Sequence, residues 1–126
     1  MKYDLEQRLI KFSVSIITIT GKLPADRLGN HLGNQLIRSG TAPALLYGEA
    51  QSAESRKDFI HKMKIGLKEL RETSICLKII EEVSPQEIQT QLKVVLGENI
   101  ELIQIFHKSI STATKNLSMD QKNSRS

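Results

Sequence analysis

The stretch Leu5-Glu-Gln-Arg-Leu-Ile-Lys-Phe-Ser-Val-Ser-Ile-Ile-Thr-Ile-Thr-Gly-Lys-Leu23 decides the fold class, because it supports two readings. Phe12–Thr20 alternates apolar and polar residues and is rich in β-branched side chains, as a half-buried strand would be. Across the whole stretch, however, Leu5, Leu9, Phe12, Ile16, Ile19 and Leu23 recur at alternating steps of four and three. At about 100° per residue they fall within about 80° of one another, a narrow core-facing stripe. That spacing also runs back through Glu6, Arg8 and Lys11, where the alternation does not reach. The stretch therefore reads as a helix, and Gly21 and Pro24 break the chain after it.

The rest of the chain follows the same period. A second helix starts near Pro24–Asp26 and shows Leu28, Leu32, Leu36, Ser39, Ala42 and Leu46 on one side, with a kink expected at Gly40–Pro43. After a loop near Gln51–Ser55, the segment Ser55-Arg-Lys-Asp58 has the pattern of a capped helix start. This third helix turns Phe59, Met63, Gly66, Leu67, Leu70 and Leu77 inward. At Ser84-Pro85-Gln86-Glu87, Ser suits the N-cap, Pro the first helical position, and Glu the return capping bond. The fourth helix places Ile88, Leu92, Val95, Asn99, Leu102, Phe106 and Ile110 on one face. From Thr112 the chain is polar and aperiodic. Residues 1–111 thus read as an all-α, up-down antiparallel four-helix bundle with a kinked second helix, and residues 112–126 as a disordered polar tail.

Composition agrees with a single domain. Fifteen Leu, fifteen Ile, four Val and three Phe in 126 residues supply an aliphatic core, with no Trp. Three Pro and seven Gly are too few for the many turns of an all-β fold. The formal net charge of +4 permits a nucleic acid or another acidic surface as partner. No apolar run approaches the roughly 18 residues of a membrane-spanning helix. Phe12–Thr20 is uncharged, but Asp4 and Glu6 precede it and no small-x-small cleavage site follows, so a cytoplasmic protein is expected.

Catalytic patterns are missing. His31, His61 and His107 form neither a His-Glu-x-x-His motif nor a helical pair, and no Glu-x-x-His motif marks a di-metal bundle. Gly29-Asn-His-Leu-Gly33 lacks the Gly-Lys-Ser/Thr ending of a phosphate loop. Cys76 lies in an apolar run and reads as packing. The adjacent Glu81 and Glu82 diverge on a helix. A protein without enzymatic activity or cofactor is expected.

Two surface features say more. Lys57, His61, Lys64, Lys68 and Arg71 follow steps of four and three on the third helix, away from Met63 and Leu70. The strip is about 20 Å long at about 1.5 Å per residue, and Asp58, Glu69 and Glu72 point elsewhere. It reads either as a solvated flank or as a row of phosphate-binding cations. The second feature is surplus apolar surface. Ile10, Val14 and Ile17 form a stripe opposite the first helix's core side, and Ile75, Ile79 and Ile80 belong to a run that is apolar almost all round. Ile100 and Ile105 also lie off the core face of the fourth helix. Contiguous apolar surface of this kind predicts self-association through Ile10, Val14, Ile17, Ile75, Ile79 and Ile80.

Three stretches carry a resemblance: Gln35-Leu-Ile-Arg-Ser-Gly-Thr41, Tyr47-Gly-Glu-Ala-Gln-Ser-Ala-Glu-Ser-Arg-Lys-Asp-Phe-Ile-His-Lys-Met-Lys64 and Leu67-Lys-Glu-Leu-Arg-Glu-Thr73. They resemble the four-helix-bundle proteins encoded in intervening sequences of bacterial 23S ribosomal RNA genes. The match is dense over Leu28–Ile80, and the helix count agrees across Leu5–Ile110. The resemblance implies a ring-like homopentamer and a role in binding RNA or another nucleic acid. A related bundle, the accessory protein of diversity-generating retroelements, is likewise a basic pentamer that works with nucleic acid. Leu46 departs from the pattern, since relatives carry Asn there; a polar contact made by that Asn is lost in this chain. The resemblance assigns no catalytic role to any residue.

Overall fold

The computed structural model describes residues 2–124, with side chains from Asp4 onward. Four α-helices account for nearly all of them: α1 (Lys2–Thr20), α2 (Arg27–Gln51), α3 (Arg56–Val83) and α4 (Gln89–Ser124), with a 3-10 turn over Gln86–Ile88. Each helix packs on two others, in the cyclic order α1, α2, α3, α4, so α1 and α3 lie across the diagonal. The ambiguous segment is helical. Leu9, Phe12, Ile16 and Ile19 are buried in one cluster with Leu36, Met63, Leu70, Leu77, Leu92, Leu102 and Phe106.

Local chemistry explains most of the helix ends. Asp26 caps α2 by accepting a hydrogen bond from Gly29 N–H at 2.7 Å. Ser55 caps α3 by accepting from Asp58 N–H at 3.0 Å. Each bond satisfies a backbone donor that a free helix end leaves unpaired. The start of α4 is built differently from the expected Ser84 cap. Ser84 ends α3, the chain makes a 3-10 turn after Pro85, and that turn has no side-chain cap. The Gln89 amide closes the corner instead, donating to the carbonyls of Glu81 (2.8 Å) and Ser84 (3.1 Å).

α2 runs as one helix through Gly40 and Pro43. Gly40 serves close packing: a Cβ there would lie 2.8 Å from both Cγ atoms of Ile16, so glycine lets α1 approach α2. The tail expectation is corrected over residues 112–124, where α4 continues to Ser124; residues 125–126 lie outside the described residues. Ala113 is buried, and Arg56 Nε donates to Asp120 Oδ2 at 2.8 Å, tying the extension to the start of α3.

The core contains a few polar groups with defined partners. Thr73 Oγ1 lies 2.9 Å from Ser39 Oγ and also donates to the Glu69 carbonyl at 2.8 Å, joining α2 to α3. Asn99, on the core face of α4 as its spacing predicts, donates to the Leu70 carbonyl at 3.1 Å. The Cys76 thiol is buried, which pushes its pKa up; the charge of Glu72 acts in the same direction.

Candidate nucleic-acid interface

The Ser55 cap and the inward row Met63, Leu67, Leu70 and Leu77 fix the rotation of α3 against the bundle. That rotation turns Lys57, His61, Lys64, Lys68 and Arg71 outward, and all five are exposed. Among the described residues no carboxylate lies within ion-pair distance of Lys57, Lys64, Lys68 or Arg71. The nearby acids are occupied elsewhere. Arg38 of α2 donates through Nη1 to Glu69 at 2.8 Å and through Nη2 to Glu72. The hydrogen bond to Glu72 and the charge of Glu69 raise the Arg38 pKa above its ordinary value. Glu49 takes Lys62 at 3.0 Å, on the same α2–α3 seam. A carboxylate already paired with a guanidinium competes weakly for a neighbouring lysine, so the outward row keeps its positive field.

The row also borders a groove. Lys64, Leu67, Lys68 and Arg71 of α3 face His107 and Ile110 of α4 across it. His107 is exposed, and its place beside the row is a consequence of how α4 lies on α3. No single-helix wheel carries that register, so spacing gives His107 no place. Spacing gives Arg38 no role for the same reason: its two acidic partners belong to another helix.

The apolar candidates divide. Ile10, Val14 and Ile17 are each more than half exposed on the outer side of α1. Ile75 (58%) and Ile79 (44%) are exposed and continue the outward line of α3 beyond Arg71. Ile80 does not belong with them. It is 1% exposed and packs in the core, because the next residue along a helix turns by about 100°. Ile100 is exposed, and Ile105 is half-buried. Leu46 is half-buried beside the buried Tyr47.

Among the described residues, no three His, Cys, Asp or Glu side chains gather closely enough to hold a metal ion. Nor is any described helix long and apolar enough to cross a membrane.

Residues 1–108 match the 23S rRNA-intervening sequence protein family. The chain belongs to that family. A crystal structure from Bacteroides thetaiotaomicron, described as a protein of unknown function from the S23 ribosomal protein family, is similar. It shares 27% identity and a TM-score of 0.75, covering 84% of this chain and 97% of the other. No curated protein matches. The family match spans the whole of α1, α2 and α3, including the basic row, and stops at the middle of α4.

Proposed function

We propose that this member of the 23S rRNA-intervening sequence protein family is a non-enzymatic, ring-forming bundle that binds RNA through the backbone phosphates. The observation that carries the reading is the exposed row Lys57, His61, Lys64, Lys68 and Arg71, with the neighbouring Glu69 and Glu72 both held by Arg38. Four fixed cations on one subunit bind weakly, and repetition around an oligomer raises avidity steeply. The scarcity of aromatic residues, 4% of the chain, argues for backbone contacts over base stacking.

The arrangement of apolar surface supports a ring. Ile10, Val14 and Ile17 lie on α1, and Ile75 and Ile79 lie on α3, across the diagonal of the bundle. Two different patches on opposite sides suit a head-to-tail contact, which closes into a ring when the rotation permits. Five copies is the number that the family resemblance implies. Fully burying one large aliphatic side chain contributes about 1.5–3 kcal/mol, so Ile10→Asp with Ile17→Asp dissociates the assembly. Light scattering on a size-exclusion column reads this directly, and a monomeric wild type at micromolar concentration removes the ring.

RNA binding is tested by filter retention across a salt series. Wild type binds single-stranded RNA with a log–log salt slope of about −2.8 per subunit engaged, from about −0.7 per phosphate neutralised. Replacing Lys57, Lys64, Lys68 and Arg71 together with Glu abolishes retention while circular dichroism and oligomer size stay unchanged. No wild-type retention at low salt, or equal retention by the variant, leaves a protein-interaction scaffold as the better reading.

A further inference from the structure

The C-terminal half of α4 carries a second row of cations, of which Lys115 and Lys122 lie beyond the family match. Lys108, Lys115 and Lys122 are spaced by seven residues and are all exposed. An α-helix drifts only about 20° in seven residues, so the three lie on one face over about 21 Å. Asp120 is the only acid of the sequence between Glu101 and Ser124, and Arg56 engages it at 2.8 Å. No described carboxylate lies within ion-pair distance of the three lysines.

Two contacts set the extension of α4 beside the first row. The groove places His107 and Ile110 opposite Lys64, Lys68 and Arg71, and the Arg56–Asp120 pair places the far end of α4 at the start of α3. The extension of α4 therefore runs alongside the basic half of α3, with Lys115 and Lys122 on its outer side, roughly opposite the buried Phe106 and Ala113, and Lys108 at the rim of the groove that Arg56 and Phe59 also line. Packed helices have axes about 8–10 Å apart, comparable to the Debye length at physiological salt.

We propose that the C-terminal extension of α4 is a second arm of the RNA interface, in which Lys115 and Lys122 bind backbone phosphates that the α3 row does not reach. The proposal rests on the RNA-binding reading above and adds a surface that the family match does not include. The occupant is a single-stranded or looped RNA segment long enough to cross both helices. Arg56 and Asp120 act as the clasp that keeps the extension docked.

The full-length Lys115→Ala, Lys122→Ala double variant tests it against wild type and the quadruple α3 variant. Both lysines are exposed, so circular dichroism and oligomer size are expected to be those of wild type. Filter binding to single-stranded RNA across a salt series should give a slope shallower by about 1.4, two phosphates at about 0.7 each. Between 50 and 200 mM salt, that makes the loss of affinity about sevenfold smaller than for wild type. If wild type binds and the α3 variant does not, a double variant with the wild-type slope and affinity overturns the second arm alone. If wild type itself fails to bind at low salt, the RNA-binding reading falls and takes the second arm with it.

Discussion

The α2–α3 and α1–α4 seams of the bundle are joined in different ways. Between α2 and α3, contacts run from the core to the rim: Leu36 and Leu70 are fully buried, Ser39 pairs with Thr73, and Arg38 and Lys62 close the outside. Between α1 and α4, the polar contacts stay at the rim. Arg8 forks onto Glu98 at 3.0 and 2.7 Å, and Lys22 donates to Gln91 at 2.7 Å. Beside them, Val14 and Val94 remain exposed along a groove floored by Ile19 and Val95. The difference separates two roles. The tight seam holds the helix that displays the basic row, and the loose seam leaves aliphatic side chains exposed.

The largest test of this comparison is a pair of truncations. Leu70→Ala in the tight side of the core should cost about 2–5 kcal/mol, the range for a buried leucine whose cavity cannot collapse. Val94→Ala on the loose seam should stay within about 0.5 kcal/mol. Urea unfolding of both variants reads the contrast, and similar losses would mean that the seams are equivalent.

A smaller effect is expected where α1 meets α2. A Cβ on Gly40 would press on the branch atoms of Ile16, which cannot swing away as a flexible chain end could. Gly40→Ala should therefore cost about 1–3 kcal/mol, as overpacked sites do. Thermal unfolding checks it; an unchanged midpoint would show that α1 is loosely held on both sides.

The smallest effect is a pH dependence confined to the tight side. Burial pushes the Cys76 thiol up, so above the ordinary thiol value of about 8.5 the unfolded chain releases a proton that the folded chain keeps. The contribution is fully present below that value and is lost as the pH rises towards the folded pKa. Stability should fall as the pH rises above about 8.5, and less steeply in Cys76→Ala. Equal slopes in the two proteins would place the alkaline loss elsewhere.

How much of this was legible depended on whether a feature belongs to one helix or to two. Leu9, Phe12, Ile16 and Ile19, and likewise Met63, Leu67, Leu70 and Leu77, are buried where the spacing puts them, since a helix with one apolar stripe has one way to face a core. Leu28 shows where a wheel misleads. It is half exposed in the first turn of α2. Ile80 went the other way, from predicted surface to core, because a run apolar on every side gives no phase. The segment after Thr112 was read as irregular because it carries no apolar period; the burial of Ala113 and the Arg56–Asp120 pair are contacts made with other helices.

The sequence by itself determined four helices, the capped start of α3 at Ser55, the aliphatic core and the outward basic row. Each of these is set by spacing along one chain segment, within the reach of a helical turn. Only the tertiary structure decided that Arg38 holds Glu69 and Glu72, that Gly40 admits Ile16, that His107 borders the row and that α4 continues to Ser124. These depend on the register of one helix against another, fixed by the fit of all four cores at once.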